Sequence, residues 1–161
     1  MGVASGPTAR LFGMPSTATT ATHAGFNCGL VRNRYELTHT AVPMLASAQT
    51  PQIGNDFPVK LSQAPPLSAA GILFGMSKSG WSGMALPFDL APLNAQGCSL
   101  LASVSSPAIK TVKSDANAKY TYRIPQQLNL IGLHFDNQWA VYEPTVNPFG
   151  FEFTNAGEGV I

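Results

Sequence analysis

Charge is what this sequence has least of. Asp, Glu, Lys and Arg make up 11% of its 161 residues, against about 25% in an average soluble domain. Nine basic and eight acidic residues leave a net charge of +1, and the Lys and Arg residues are scattered singly. A nucleic-acid footprint needs a clustered basic face, so the pattern argues against that partner. No run of about 18 apolar residues occurs, so no helical membrane span is expected. The opening MGVASGPTARLFGMPSTATTATHAG lacks the apolar core of a secretory signal. A removed signal, another export route and an internal location all stay open. Gly6 stands where N-myristoylation needs Ser or Thr, and no Asn-x-Ser/Thr sequon occurs.

Motifs that would name a reaction are missing too. His23, His39 and His134 show no HExxH or HxH spacing, and His134 sits between the apolar Leu133 and Phe135. A lone strand histidine on a polar face is the default for such a residue. A Ser-His-Asp set can be drawn from the serines, His134 and Asp136, but no GxSxG elbow accompanies it. Asp56, Asp89, Asp115, Asp136, Glu143, Glu152 and Glu158 all fall near turns or strand ends, where solvated carboxylates are usual. None of these acids forms a glycosidase pair, and no loop has the DxDxDG spacing of a calcium site. No enzyme activity, cofactor or metal is expected.

There are two cysteines, Cys28 and Cys98. Two thiols without neighbouring Cys or His partners do not make a zinc site. A bridge between them closes a long loop, worth roughly 4 kcal/mol by chain entropy, and implies an oxidising compartment. The competing reading is two separate buried thiols. The bridge is the expectation taken.

What is present is strand and turn. Phe57, Val59 and Leu61 share one face while Lys60 and Ser62 take the other, and Pro65-Pro66 ends that strand. Residues 70–76 form a short apolar run suited to a strand buried on both faces. Met84 to Leu90 and Cys98 to Val104 predict two more strands. Tyr120 to Ile124 alternates again. The longest strand signal runs from Leu130 to Tyr142, with Ile131, Leu133 and Phe135 on one face and a bend or bulge at Asp136-Asn137. Phe149, Phe151 and Phe153 make an aromatic stripe, and Asn155-Ala156-Gly157 reads as a turn. Helix is hard to place beyond a turn near residues 124–130. Seven to nine short strands with thirteen prolines at their ends indicate an all-β chain of antiparallel sheets, a β-sandwich or jelly-roll-like fold.

Residues 1–25 are small, polar and threonine-rich, apart from Leu11, Phe12 and Met14. They predict either a tail or an extended arm ahead of a domain over residues 26–161. As an arm, the Leu11–Met14 segment would add as a strand to a neighbouring subunit. Trp81 stands in the glycine-serine loop 79–83 and is the aromatic best placed for exposure. With Trp139, Tyr120 and Tyr122 it could stack on a sugar face, against the commoner role of core filling or an interface belt. Arg32 to Glu36 is the one local charge cluster, suited to an ion pair with a neighbouring subunit or to a solvated turn.

TPQIGNDFPVKLSQAPP (50 to 66), GCSLLAS (97 to 103) and the closing stretch with LIGLHFDNQWAVYEPTVNPFGFEFTNAGEGVI resemble a domain family of exported proteins from planctomycetes and related bacteria. The matching pieces are Pro51 to Asn55, Gly97-Cys98 and Asn147 to Gly150, over roughly the last 110 to 130 residues. The resemblance implies a small secreted β-sandwich with paired cysteines, and it implies no activity. The chain departs from it between Leu30 and His39 and in the N-terminal arm.

These observations converge on a non-enzymatic structural subunit, extracellular or at the cell surface, that forms a homo-oligomer, filament or surface layer. Open sheet edges without charge associate with one another, and a contact that does not close gives a filament. The alternative is a secreted carbohydrate-binding or adhesive module that takes a glycan at Trp81.

Overall fold

A computed structural model describes the backbone of residues 8–12 and all of residues 43–161. Met14, His23, Cys28, the Arg32 to Glu36 cluster and His39 lie outside the described residues. The strands, in chain order, are β1 (Thr8–Phe12), β2 (Met44–Ala46), β3 (Asp56–Ser62), β4 (Ala69–Gly75), β5 (Gly80–Trp81), β6 (Met84–Ala85), β7 (Phe88–Asp89), β8 (Ser99–Leu100), β9 (Ser106–Thr111), β10 (Ala118–Arg123), β11 (His134–Tyr142) and β12 (Phe151–Val160). Among the described residues the only helical pieces are two 3-10 turns, Ala91–Leu93 and Leu128–Leu130. The fold is all-β and antiparallel, as its turn-punctuated pattern predicts.

Five strands make one sheet in the order β1-β12-β11-β4-β9, and three make a second in the order β10-β3-β2. The inner face of the second sheet is built by the period-two alternation of β3, where Phe57, Val59 and Leu61 are buried and Lys60 is exposed. These side chains pack against Ile72, Phe135, Trp139 and Val141 of the five-stranded sheet. Phe57, Phe74, Tyr122 and Phe135 form a ring cluster in this core, with Phe57 and Phe135 edge to face at 5.7 Å. Trp139 is wholly buried, so it fills the core.

The other face of the five-stranded sheet is covered as well. Residues 76–105 leave the sheet after β4, cross its outer face and return as β9. They carry Leu86, Leu90, Ala95, Cys98 and Leu100 onto Ala140 and Phe153. This layer corrects the expectation of two full strands at 84–90 and 98–104. Only the two-residue ribbons β5-β6 and β7-β8 form there. The layer is fixed by side-chain bonds to the sheet below it instead of by a ladder. The two layers also explain why β11 is buried at every position from Phe135 to Val141.

Two further boundaries differ from expectation. The Leu130–Tyr142 signal becomes a 3-10 turn followed by a strand that starts at His134, because the Ile131-Gly132 step turns with Gly132 at φ 84. Asn155-Ala156-Gly157 is no turn. β12 runs straight through it, and the bulge lies where Thr154 and Asn155 oppose the single residue Trp139. Asn155 is spent on the neighbouring sheet. Its Oδ1 accepts from Leu45 N (2.9 Å) and its Nδ2 donates to Leu45 O (3.1 Å), so one carboxamide bonds both backbone groups of the middle residue of β2, as another strand would.

Candidate functional site

The region that gathers most chemistry is the edge of the five-stranded sheet where β1 lies on β12. The pairing runs from Thr8 opposite Val160 to Phe12 opposite Ala156, and it puts Leu11 opposite Gly157 and Arg10 opposite Glu158. β11 continues the row with Asp136 opposite Glu158, and β4 with Gly75 opposite Asp136. One line across four strands therefore reads Arg10, Glu158, Asp136, Gly75. Of the arm segment picked out in the sequence, Leu11 and Phe12 lie in β1, which pairs here with β12 of its own chain, and Gly13 and Met14 lie outside the described residues.

Around this line lies a set of charged groups. Glu158 Oε2 accepts from Lys78 Nζ at 2.9 Å, and Glu158 Oε1 is 3.1 Å from His134 Nδ1. Lys78 reaches it from the layer over the sheet. The hydrogen bond from Lys78 is the largest influence on Glu158 and holds its carboxyl below the usual carboxylate range, with His134 adding to the effect. Asp136 behaves oppositely. Burial, and then the negative charge of Glu158, push its carboxyl up to about 6, against the pull of Lys78 and His134. Its Oδ1 is buried without a hydrogen-bond partner.

Asp136 and Glu152 are thus not the solvated strand-end carboxylates expected from their positions. Each is buried within a strand: Asp136 lies on the face that the layer of residues 76–105 covers, and Glu152, opposite Val141, lies on the face turned to the second sheet. Asp136 and His134 share a strand, but His134 is directed to Glu158, so the Ser-His-Asp set drawn from the sequence is not assembled. Ser103, the buried serine nearest this line, accepts at Oγ from Met76 N and Ser77 N, both at 3.0 Å. Gly75 is required beneath it, since a Cβ there would stand 1.9 Å from Ser103 O.

Trp81 is in the ribbon strand β5 and not in a loop. It is half-buried against the second core, and its indole N–H donates to Val104 O at 3.0 Å. Tyr122 is inside the ring cluster, where burial raises its phenol well above the ordinary value. Trp81, Trp139, Tyr120 and Tyr122 do not form a common platform. Cys98 is fully buried and is not a free thiol. Its Sγ lies 3.9 Å from Phe151 O and from Asn147 Nδ2. Asn147 in turn donates to Phe151 O at 2.8 Å and accepts from Gly150 N at 2.8 Å, which is the structural task of the Asn147 to Gly150 stretch.

Sequence reasoning passed over Gln138 and Asn155, which tie the layers together. Both are wholly or nearly buried amides, and a polar amide in the middle of an apolar strand is the one signal that could have found them. Among the described residues no group of three or more His, Cys, Asp or Glu is placed to hold a metal ion, and no helix is long and apolar enough to cross a membrane.

No protein-family model matches the chain, and no curated protein matches it. Among solved structures, a superoxide reductase (neelaredoxin) from Ignicoccus hospitalis is similar over 74% of this chain and 78% of that one, at 10% sequence identity and a TM-score of 0.36. A likeness of that size carries no argument about this chain.

Proposed function

We propose that this chain is a non-enzymatic, extracellular structural subunit that assembles with copies of itself by exchanging β1. The observation that carries the reading is the state of the sheet edges. β9 is guarded by Pro107 and Lys110, and β10 by Lys119 and Arg123, the usual devices against edge pairing. β2 is sealed by Asn155. The β12 edge has no such device beyond Glu158. It is covered by β1, an edge strand that pairs with β12 alone.

Residues 13–42 connect β1 to β2, and an extended chain of that length reaches on the order of 100 Å. The ladder that β1 makes on its own β12 can therefore be made equally on a neighbour's, with little net cost, which is how strand exchange yields oligomers. A Cys28–Cys98 bridge fits this scheme and belongs to the proposal. It would anchor the base of the arm to its own domain, in an oxidising compartment, and leave residues 13–27, on the order of 50 Å when extended, to carry β1 to the next copy. The resemblance to exported planctomycete domains points the same way. The alternative, a carbohydrate-binding module built on Trp81, draws less support, because the indole N–H is already bonded and the ring is partly packed.

The test is removal of residues 1–25 from the full chain. The truncated protein is expected to fold and to sediment as a monomer, and to bind an added peptide of residues 1–25. An assembly that persists in the truncated protein would exclude the arm.

A further inference from the structure

The second sheet turns one face to solvent, and that face carries an arrangement that costs stability. In the pairing of β3 with β10, Lys60 stands directly opposite Lys119. Directly opposed residues share a face, and like charges there repel. Lys113, at the start of the turn that leads into β10, joins them around one open concavity of ≈ 250 Å³, whose other lining residues are Leu61, Asn117 and Ala118. All three lysines are exposed.

Among the described residues no acid forms an ion pair with this cluster. The ion pairs among the described residues engage Lys78, Arg123 and His134, and none of these three lysines. Asp115, in the same turn, does not line the concavity, and its carboxylate accepts from Asn117 N (3.2 Å). The chain has nine Lys and Arg in all, and three of them converge on this one hollow. Lys78 and His134 are matched with Glu158, and Arg123 with Asp56, whereas the repulsion between Lys60 and Lys119 is left without such a match and calls for a counter-charge.

We infer that the Lys60–Lys113–Lys119 concavity binds a multiply charged oxyanion group, a sulfate or a phosphate, either free or as an ester on a saccharide. Lysine ammoniums are compact point charges with three donors each, and three of them around one hollow suit an anion that offers several oxygens in different directions. Charge-assisted bonds of this kind are among the stronger hydrogen bonds, and a bound anion also relieves the repulsion between Lys60 and Lys119. A nucleic-acid strand is a poorer fit, since no aromatic residue lines the hollow for a base to stack on. The site is on the three-stranded sheet and is independent of arm exchange.

The test is a titration of the ¹⁵N-labelled full chain, followed by amide shifts, with sodium sulfate, sodium phosphate and sodium chloride at matched ionic strength. A sulfated oligosaccharide, its desulfated counterpart and a single-stranded oligonucleotide are titrated in parallel. Saturable shifts are expected at Lys60 and across Lys113 to Lys119 with sulfate or phosphate, and not with chloride. The double variant Lys60→Gln/Lys119→Gln should weaken the apparent affinity at least tenfold, and Lys60→Arg/Lys119→Arg should retain it. A sulfated oligosaccharide that binds at least tenfold tighter than free sulfate identifies the ester as the source, and equal affinity identifies the free ion. Shifts that match those with chloride, a Gln variant that titrates like the parent, or preferential binding of the oligonucleotide would overturn the inference.

Discussion

Asp136 is the residue in which burial and charge conflict most openly. The residue is 3% exposed and stands opposite Glu158, and its carboxyl pKa is pushed up to about 6 from an ordinary 3.8. Between those two values the folded chain keeps a proton that the unfolded chain has released. Stability therefore falls as pH rises from about 4 to about 6, and the loss is complete above that. Glu158, with its pKa lowered, acts in the other direction: its contribution is present above its ordinary 4.5 and is lost as pH falls below. Asp136→Asn removes the first effect and leaves the second. The variant should match the parent near pH 4 and exceed it at pH 7 by about 1–3 kcal/mol, as read from urea midpoints at the two pH values. A variant less stable than the parent at pH 7 would mean that the carboxylate is held by a favourable contact.

At the scale of elements, the second layer is the part of the fold that local sequence hides. β3 could be read from Phe57, Val59 and Leu61, because a period of two is a local property. The aromatic stripe could be read in part, since Phe149 and Phe151 do meet at 5.5 Å, although Phe149 stands in the turn ahead of β12. The stretch from Met76 to Ser105 could not, because its apolar residues are recruited by a sheet face completed only by residues 134–160. What pins it is Gln138, wholly buried on β11. Its Oε1 accepts from Leu101 N (3.0 Å), and its Nε2 donates to Ser99 O (3.0 Å) and to Thr154 O (2.8 Å). One amide thereby bonds β12 and the covering layer together. Gln138→Leu keeps the volume roughly constant but strands one donor and two acceptors, each worth about 1–3 kcal/mol when left unpaired and buried. The variant should lose about 3 kcal/mol or more in urea unfolding, and amide exchange should quicken first at Leu101. Unchanged stability would show that the layer is held by apolar contact alone. Asn155 was equally hidden, since its partner Leu45 lies 110 positions away.

At the scale of the molecule, the scarcity of charge has a sharper meaning in the structure than in the composition. The few ionic groups are not spread thinly over all surfaces. Lys110, Lys119 and Arg123 stand on the edge strands β9 and β10, so a general stickiness of uncharged sheets is not what the fold shows. The association we propose is instead confined to one seam, where β1 covers the edge of β12 from Ala156 to Val160. Leu11 and Phe12 were legible as a strand-forming patch because they interrupt an otherwise polar segment. Which edge they would seek was not, because that edge is built from Gly157 and Gly159, whose significance is spatial: a Cβ on Gly159 would meet the Phe135 ring at 2.4 Å. The most direct measurement of the central claim is sedimentation velocity of the intact chain at physiological salt over a range of concentrations. Strand exchange predicts species heavier than the 17.0 kDa chain, growing with concentration; a single 17.0 kDa species at every concentration would contradict it.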